Sequence, residues 1–395
     1  MESNSNIIIT IFLIVVLSYF LFFNKRCNEN FSTKKNNLIE DKTDDSIENF
    51  EIETPIVPSV APGKLLIYYG YPASINNGAG GWYPENTWHM FAKYDYVVLG
   101  GGLEMDGYVN NDNQDLSRTP QHGNNVFTKK MLVHLRNFSN TKVYGYIDAG
   151  LCGWCKKWNL DQIKTRIDGW KLLGVHGIFV DDFGWDYGVT RERQNEIIRM
   201  VHERGMNVCV NGWNVTQIFG NEPDATYNPD GVDTLINSRD YYLNESFVFR
   251  TFNDKPADYD TFNNWFWKAY NLNNYRKNIG FGVLAVTTTD NDTPYDEEAF
   301  HYAWYCAMLF NYNAIGWGEV NFSASPPNSA VYRERPNINP GFKFTSDVIP
   351  SWAHSRGDGV LLRNTNEGVI EILSEIYHKE NNPDSEELER TAQLV

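Results

Sequence analysis

The sequence lacks the excess of basic residues that nucleic-acid-binding proteins carry. Lys and Arg number 34 against 50 Asp and Glu, which gives a formal net charge of -16 at pH 7. Because no cluster of positive charge is available to neutralise phosphates, we expect no nucleic-acid partner. Aromatic residues make up 15% of the chain and charged residues 21%, so the core is well supplied and extensive disorder is not expected.

Cysteine is also scarce, with five residues scattered along the chain: Cys27, Cys152, Cys155, Cys209 and Cys306. An odd number at irregular spacing does not form a disulfide framework. Cys152 and Cys155 have the Cys-x-x-Cys spacing of redox motifs, but they follow a predicted strand outside a thioredoxin-like pattern. This context favours a local disulfide or plain loop thiols over redox catalysis.

Several motifs that announce cofactors or nucleophiles are missing. The chain has no His-Glu-x-x-His metal motif, no Gly-x-Ser-x-Gly nucleophile elbow and no Gly-rich phosphate loop with a Lys. We therefore expect no cofactor and no dedicated metal site. One alternative stays open, because Asp148, Asp181 and Asp182 together could hold a divalent cation.

One long apolar run is present near the amino terminus. Residues 7–23 contain no charge, and their length is at the lower limit of the roughly 17–25 residues that span a bilayer. Only Glu2 precedes the run, and bulky residues follow it, so a cleaved signal peptide is disfavoured. We predict a single-pass, uncleaved transmembrane helix that anchors the protein in a host or viral membrane.

The side of the membrane on which the large domain lies stays undecided. Lys25, Arg26, Lys34 and Lys35 follow the apolar run and favour a cytoplasmic domain by the positive-inside rule. Asn-x-Ser/Thr sequons would favour a glycoprotein on the other side, although a chain this rich in Asn contains about five by chance. They begin at Asn30, Asn137, Asn214, Asn244, Asn291 and Asn321.

The composition divides the chain into six predicted segments. Residues 24–62 are polar, acidic and rich in Pro, which predicts a disordered linker. Strand and helix patterns alternate through 63–322, and a hairpin pattern follows within a carboxyl-terminal extension over 323–374. A short tip (1–6), the anchor (7–23) and an acidic tail (375–395) complete the chain.

The alternating region predicts an α/β fold. Eight apolar strand patterns are separated by amphipathic helix patterns over about 260 residues, the size of a (β/α)8 TIM barrel. No Gly-x-Gly-x-x-Gly follows the first strand, which disfavours a doubly wound sheet. The predicted strands lie within residues 64–72, 94–99, 142–148, 177–180, 207–211, 232–236, 280–288 and 314–319.

The fourth of these strands carries the strongest functional signal. Residues 177–180 are apolar enough for a strand buried on both faces, and Asp181 and Asp182 follow at its carboxyl end. Parallel α/β folds place their chemistry at that end of the strands. Alternation with Phe179 predicts that Asp181 faces the barrel interior, whereas Asp182 would suit a supporting or helix-capping role.

The other strand ends complete an acidic and aromatic rim. Two carboxylates that act as acid and as nucleophile or base are what glycoside hydrolysis requires, and flat aromatic rings pack well against sugars. Each aromatic residue taken alone is better explained by core packing, so the interpretation depends on the collection. The candidate substrate-binding residues are Tyr68, Tyr69, Asp148, Asp182, Asn211, Trp213, Trp317 and Glu319.

Three strand motifs resemble those of a family of barrel glycosidases. The segments 67–72 (IYYGYP), 143–150 (VYGYIDAG) and 174–183 (GVHGIFVDDF) look like motifs of the endo-α-1,4-polygalactosaminidase-like hydrolases and spherulin-4-like proteins. The resemblance covers roughly residues 65–319 at motif level, and it implies a TIM barrel that hydrolyses glycosidic bonds. It also implies that the catalytic pair is Asp181 and Glu245, the latter in the Asn-Glu-Ser-Phe-Val context of the sixth strand. An insertion over 105–126, the second acid at Asp182 and the predicted anchor depart from the family pattern.

Two functions follow from these observations. The first is a membrane-anchored glycoside hydrolase that cleaves a polysaccharide, with an amino-sugar polymer as the substrate that the resemblance implies. The alternative is a catalytically inactive carbohydrate-binding or structural surface protein, for example on a virion. A pair of carboxylates that converge over the barrel mouth would favour the enzyme, and a single unpartnered acid would favour binding.

Overall fold

The computed structural model of the protein describes residues 61–72, 75, 84–105, 122–250, 258–259, 262–288, 295–318, 332–338, 341–351, 359–366, 369–374 and 392–394. The predicted anchor at residues 7–23 lies outside these ranges, as do most of the predicted linker and of the acidic tail. Within the described ranges, no helix combines the length and the apolar character that crossing a membrane requires.

Eight parallel strands form a closed barrel, as the sequence predicts. The last strand pairs with both the first and the seventh, which closes the sheet and rules out the doubly wound alternative. In chain order the strands are β1 (Gly63–Tyr68), β2 (Tyr96–Leu99), β3 (Lys142–Asp148), β4 (Gly177–Asp181), β5 (Asn207–Val210), β6 (Tyr241–Asn244), β7 (Gly282–Thr288) and β8 (Ala314–Gly318).

The strand register gives the barrel the stagger of a TIM barrel. When the paired residues are followed from strand to strand, the path returns to β1 eight residues below its start. Eight strands with a shear of eight are the defining geometry of this fold. As a result, two residues at the same height along the barrel axis are not register partners. Each residue has the same height as the residue one place after its register partner on the next strand.

The barrel interior is filled by alternate residues of all eight strands. Leu65, Tyr96, Tyr144, Phe179 and Cys209 belong to this inner cluster. The intervening residues face outward and join a larger cluster that packs against the helices. This separation follows from the period of two along a strand, and it fixes which later residues face the barrel mouth. The remaining inner members are Ile67, Val98, Tyr241, Leu243, Leu284, Val286 and Ala314.

Seven helices accompany the strands in the described part of the chain. The third shows how sequence sets their limits: Asn159 and Gln162 form a reciprocal capping box at its start, and Gly174 ends it with φ at +90°. The helices are α1 (Pro84–Phe91), α2 (His122–Phe138), α3 (Leu160–Leu173), α4 (Arg191–His202), α5 (Val215–Phe219), α6 (Phe262–Ile279) and α7 (Glu297–Leu309).

The prediction of the sixth strand within 232–236 is wrong. That segment is irregular, and the sixth barrel strand is β6, which lies further along the chain. Val232 and Leu235 are exposed, and the Asn195 amide binds the backbone at Asp233 and Leu235 where a neighbouring strand would otherwise do so. Three apolar residues in a short segment were therefore not enough to identify a buried strand.

A second sheet follows the barrel in sequence. The predicted hairpin forms between β10 (Gly359–Asn364) and β11 (Val369–Ser374), which pair antiparallel. β9 (Ile349–Ser351) and β12 (Ala392–Leu394) add to its two edges, giving four strands in all. Arg363 joins this sheet to the barrel, because its guanidinium donates to the backbone carbonyl of Leu309 at the end of α7.

We predict that a fragment starting at Val60 folds without the preceding residues. The barrel closes through β1, and the Gly63 N–H donates to the Asn313 carbonyl at 2.8 Å, so the closing contacts of the sheet lie within the described residues. Ala61 packs against the core and must be kept. The fragment should be soluble and show one cooperative thermal transition. Aggregation, or a melt without a cooperative transition, would show that the earlier residues contribute to the fold.

Candidate active site

The two acids that the sequence singles out both face the interior of the barrel. Asp181 ends β4 two residues after Phe179, and Glu245 follows β6 two residues after Leu243. Phe179 and Leu243 belong to the inner cluster, and alternation along the strands gives Asp181 and Glu245 the same direction. Both acids therefore project into the carboxyl end of the barrel, where they are half-buried.

The stagger of the strands brings these acids to one level. Asp181 is in register with Asn211, which is in register with Leu243. The stagger adds one residue per strand, so over two strands the residue at the height of Asp181 is Glu245. In this fold each inner layer takes one residue from every alternate strand. The same counting places Gly100, after β2, and Gly318, at the end of β8, in the layer that holds the two acids.

This layer has acids on one side and no side chains on the other. Gly100 is required there, because a Cβ atom at this position would lie 2.8 Å from the Cα atom of Tyr69. Gly318 likewise leaves the β8 side of the layer without a side chain. The β2 and β8 positions of this layer therefore carry no side chain, unlike the hydrophobic layers below it.

The surroundings of Asp181 favour its protonated form. Burial raises the pKa of Asp181 well above its usual value, and the negative charges of Glu245 and Asp182 raise it further. The Asp182 backbone N–H and the Tyr146 hydroxyl donate hydrogen bonds to the Asp181 carboxylate and oppose this effect in part. A carboxyl group that keeps its proton in this way is suited to act as an acid.

Glu245 has a more favourable environment for a negative charge. Burial raises the pKa of Glu245, but the positive charge of Lys268 and a hydrogen bond from the Asn211 side chain lower it. Lys268 projects from α6, and its ammonium lies 5.0 Å from the centre of the Trp213 ring. The two acids thus differ in their electrostatic environment. Glu245 has a cation and an amide donor beside it, whereas Asp181 has anions beside it.

Asp182 is a third acid at the mouth, and its backbone is strained. Burial, followed by the charges of Asp148, Glu245 and Asp186, raises its pKa from 3.8 to about 6. Its φ of +52° lies in the left-handed region, which Asp adopts more readily than most residues. The helix-capping role is wrong, because Gly184 precedes the next helical turn and Thr190 caps α4.

Positive φ angles also occur directly after Glu245. Ser246 and Val248 have φ angles of +54° and +68°, and a β-branched residue rarely adopts this conformation. Backbone strain of this kind costs on the order of 1–3 kcal/mol per residue and concentrates at functional sites. Both candidate acids are therefore followed by strained backbone.

The loop after β3 is fixed by a disulfide bond. Cys152 is bonded to Cys155, which agrees with the local disulfide considered from the sequence. Both carboxylate oxygens of Asp148 accept backbone N–H groups of this loop, from Gly150 and from Lys156, at 2.7 Å each. Asp148 thus orders the loop that borders the site.

The cation site considered from the sequence does not form among Asp148, Asp181 and Asp182. Potential ligand atoms of Asp148, Cys155 and Asp182 do approach within 4.8 Å of one another. However, the Cys155 sulfur is in a disulfide, and both Asp148 oxygens already accept backbone hydrogen bonds. A disulfide sulfur cannot act as a thiolate ligand, so the group with Cys155 is better explained as close packing in the loop.

Buried side chains of α4 hold the loops after β4 and β5 in place. Arg191 donates from one end of its guanidinium to the Ile218 carbonyl and from the other to the Gly220 carbonyl, both at 2.6 Å. Gln194 donates to the Phe183 carbonyl at 2.6 Å, two residues after Asp181. These bonds connect the β4 and β5 loops to one rigid helix, which keeps the site from depending on loop flexibility.

Besides Asp182, four of the predicted substrate-binding residues lie in or beside the mouth. Tyr69 lies above the inner cluster with its ring 5.5 Å from that of Tyr146, and Asn211 contacts Glu245. Trp213 is 45% exposed at the mouth, and Asp148 orders the β3 loop. Their contact with a substrate stays a prediction.

Tyr146 and Lys268 were missed by the sequence analysis. Tyr146 shares the inward parity of Asp148 on β3, so alternation along that strand would have identified it. Lys268 lies on a helix that is distant in sequence, and no local pattern links it to Glu245.

Tyr68 and Trp317 face away from the barrel interior. Tyr68 is fully buried against Phe91 of α1, and its hydroxyl donates to the Tyr71 carbonyl. Trp317 is 7% exposed, packs edge-on against Phe300 of α7 and lies between Gly316 and Gly318 on β8. Those glycines face inward, whereas Trp317 has the opposite parity on β8. Glu319 lies outside the described residues.

Comparisons with known proteins were made by sequence and by fold. No family model matches the chain, and no curated protein matches it. Similar solved structures include an α-galactosidase of Saccharomyces cerevisiae with raffinose, at 12% identity over 80% of this chain and 75% of that one, with a TM-score of 0.41. A Coccidioides immitis chain named as a fructose-1,6-biphosphate aldolase covers 65% of this chain and 76% of its own, at 9% identity and a TM-score of 0.36. Structural similarity this distant assigns no function to this protein. The assignment of its barrel fold is based on its own strand register.

Replacing Asp182 with Asn should stabilise the protein at neutral pH but not at acid pH. Because folding raises the pKa of Asp182, its contribution to stability is present below pH 3.8 and is lost as the pH rises through about 6. Asn removes the ionisation and tolerates the positive φ. Thermal unfolding should show a melting-temperature gain that grows from pH 4 to pH 7, by about 2–4 °C per kcal/mol. The exposed Asp230→Asn serves as the control, and an equal gain at both pH values would contradict the prediction.

Replacing Trp317 with Ala should destabilise the fold, since the ring packs in the layer between β8 and α7. Loss of a buried Trp typically costs about 3–5 kcal/mol, which thermal unfolding detects as a clear fall in melting temperature. The matched control is Trp154→Ala, which removes a ring that is 79% exposed and should leave the melting temperature nearly unchanged. An equally small change at both positions would mean that Trp317 is not core.

Proposed function

We propose that this protein is a glycoside hydrolase that cleaves a polysaccharide with the carboxyl pair Asp181 and Glu245. The observation that carries the proposal is the shared inner layer, which holds two acids beside two glycines at the carboxyl end of the barrel. Glycosidases need two carboxyl groups on either side of the scissile bond, and active sites of this fold lie at that end. The strained backbone after each acid adds support.

The different environments of the two acids assign their roles. Asp181, surrounded by anions, keeps its proton and donates it to the glycosidic oxygen as the bond to the anomeric carbon breaks. Glu245, beside Lys268 and Asn211, serves as the carboxylate that acts on the anomeric carbon directly or through a water molecule. Hydrolysis then adds water across the glycosidic bond, and the anomeric form of the first product distinguishes direct attack from attack by water.

The substrate class that fits this mouth best is an amino-sugar polymer with free amino groups. Asp148, Asp181, Asp182, Asp186 and Glu245 lie close enough to influence one another's ionisation or that of their neighbours. A concave site lined by negative charge concentrates cationic ligands. This agrees with the polymer that the resemblance to the polygalactosaminidase-like hydrolases implies. The predicted anchor at residues 7–23 would hold the enzyme at a membrane, with the side undecided.

A polysaccharide panel tests the proposal. The protein is incubated with α-1,4-polygalactosamine, its N-acetylated form, chitosan and the neutral polymer amylose, and the release of reducing ends is measured. We expect the highest rate on the cationic galactosamine polymer and little on amylose. Binding to these polymers without release of reducing ends would favour the inactive carbohydrate-binding alternative.

Asp181→Asn and Glu245→Gln should each lower kcat by at least about a hundred-fold, because general acid–base groups contribute that much or more. Each replacement keeps the size of the side chain and removes its charge chemistry. Circular dichroism and polymer retention in affinity electrophoresis should stay close to those of the unmodified protein. The matched control is Glu203→Gln, an exposed carboxyl change between the end of α4 and the start of β5, at the opposite end of the barrel from the mouth. Retention of full activity by either variant would remove that residue from the catalytic pair.

A further inference from the structure

Trp154 is the most exposed large hydrophobic side chain in the described part of the protein, at 79%. It lies in the loop between β3 and α3, within the segment that the Cys152–Cys155 disulfide closes. Burial of a tryptophan ring lowers the free energy of the protein. A tryptophan that a disulfide-closed loop keeps in solvent is therefore unusual among surface residues.

The loop that carries Trp154 is held at several points. Asp148 accepts the N–H groups of Gly150 and Lys156, and the Lys157 N–H donates back to the Gly150 carbonyl. Arg193 of α4 donates to the carbonyls at both ends of the loop, Ala149 and Trp158. The backbone under Trp154 is thus ordered before any ligand arrives, which lowers the entropy lost on binding.

This loop is packed against the acids of the mouth. A Cβ atom at Gly150 would lie 2.4 Å from the Cys155 sulfur and 2.9 Å from the Asp182 Cβ atom, so the disulfide and Asp182 are in close contact through Gly150. The Leu151 N–H donates to the Tyr187 carbonyl at 2.8 Å. Burial raises the pKa of Tyr187, and the charges of Asp186, Asp182, Asp181 and Glu245 raise it further, so Tyr187 lies near these acids.

Two exposed tryptophans therefore flank the strand that carries Asp181. Trp154 belongs to the loop after β3 and Trp213 to the loop after β5, and β4 lies between these strands in the sheet. A polysaccharide chain with one glycosidic bond at Asp181 that crosses the mouth from β5 toward β3 would pass both tryptophan rings. The stretch of mouth between the rings carries Asp182 and its neighbouring acids.

We propose that Trp154 is an outer sugar-binding subsite, a fixed platform for a residue of the polymer beyond those at the catalytic pair. The inference rests on the proposed glycosidase function and extends it to substrate length. The flat ring offers a stacking face for the C–H face of a sugar and attracts a nearby ammonium group through its π electrons. Long chains reach this platform, whereas short ones occupy only the layer of Asp181 and Glu245.

The test compares substrate lengths in the full-length protein. An α-1,4-galactosamine octamer and trimer serve as the long and short substrates, with variants Trp154→Ala and Trp154→Phe. We expect Trp154→Ala to lower kcat/KM for the octamer by at least about five-fold, through KM, and to leave the trimer unchanged. Trp154→Phe, which keeps a flat ring, should recover part of the loss. Equal kcat/KM values for the octamer in Trp154→Ala and the unmodified protein would overturn the proposal.

The control is Phe138→Ala. Phe138 is 66% exposed and ends α2 just before β3 begins, at the opposite end of the barrel from the mouth. Removing this aromatic ring should not change the ratio of octamer to trimer kcat/KM. An equal fall of this ratio in both variants would show a general effect of lost surface aromatics and would overturn the assignment to Trp154.

A binding measurement separates failure of the subsite from failure of the catalytic proposal. Titration of the octamer into Asp181→Asn, followed by calorimetry, needs no hydrolysis. We expect the additional change Trp154→Ala to weaken this binding by at least about five-fold. If the unmodified protein cleaves no substrate but this binding difference appears, the subsite stands while the hydrolase fails. If the octamer is cleaved but its affinity is the same with and without the ring, the subsite fails alone.

Discussion

Closure of the barrel with a shear of eight is the constraint on which the rest of this structure depends. The register of each strand pair is set locally, by backbone hydrogen bonds and by the burial of alternate side chains. Once eight such pairs close, however, the level of every inner residue is fixed relative to all the others. Asp181 and Glu245 share a layer because of this global geometry, although 63 positions separate them in the sequence. A one-residue slip in either strand would turn its acid out of the barrel.

The sequence predicted those parts of the fold that depend on local pattern. Short apolar runs identified seven of the eight strands, and Gly174 was recognised as the end of a helix, since both signals lie within a few residues. The sixth strand was predicted at 232–236, whereas the barrel strand is β6 at Tyr241–Asn244. The role of Lys268 could not be predicted, because a helix residue reaches Glu245 only after the barrel closes and no local pattern records that contact.

Grouping several acids at one end of a barrel opposes folding, and the chain offsets that cost in specific ways. Asn211 and Lys268 support the charge on Glu245, backbone N–H groups satisfy Asp148, and the Tyr146 hydroxyl donates to Asp181. Asp181 and Asp182 retain raised pKa values in spite of this, so part of the cost remains. If these carboxyl groups had no chemical role, replacing them with neutral residues would stabilise the protein. The presence of the acid cluster is therefore easier to explain by function than by stability.

The glycines of the acid layer explain why these carboxyl groups form a site and not a buried ion cluster. In the layers below, Phe179, Leu243 and their neighbours fill the barrel from all sides. One layer higher, large side chains at the positions of Gly100 and Gly318 would continue that core and cover both acids. At Gly100 the backbone of Tyr69 already occupies the space of a side chain. The acids therefore face a side of their layer that carries no side chains, and in the proposed reaction a sugar ring meets the two carboxyl groups from that side.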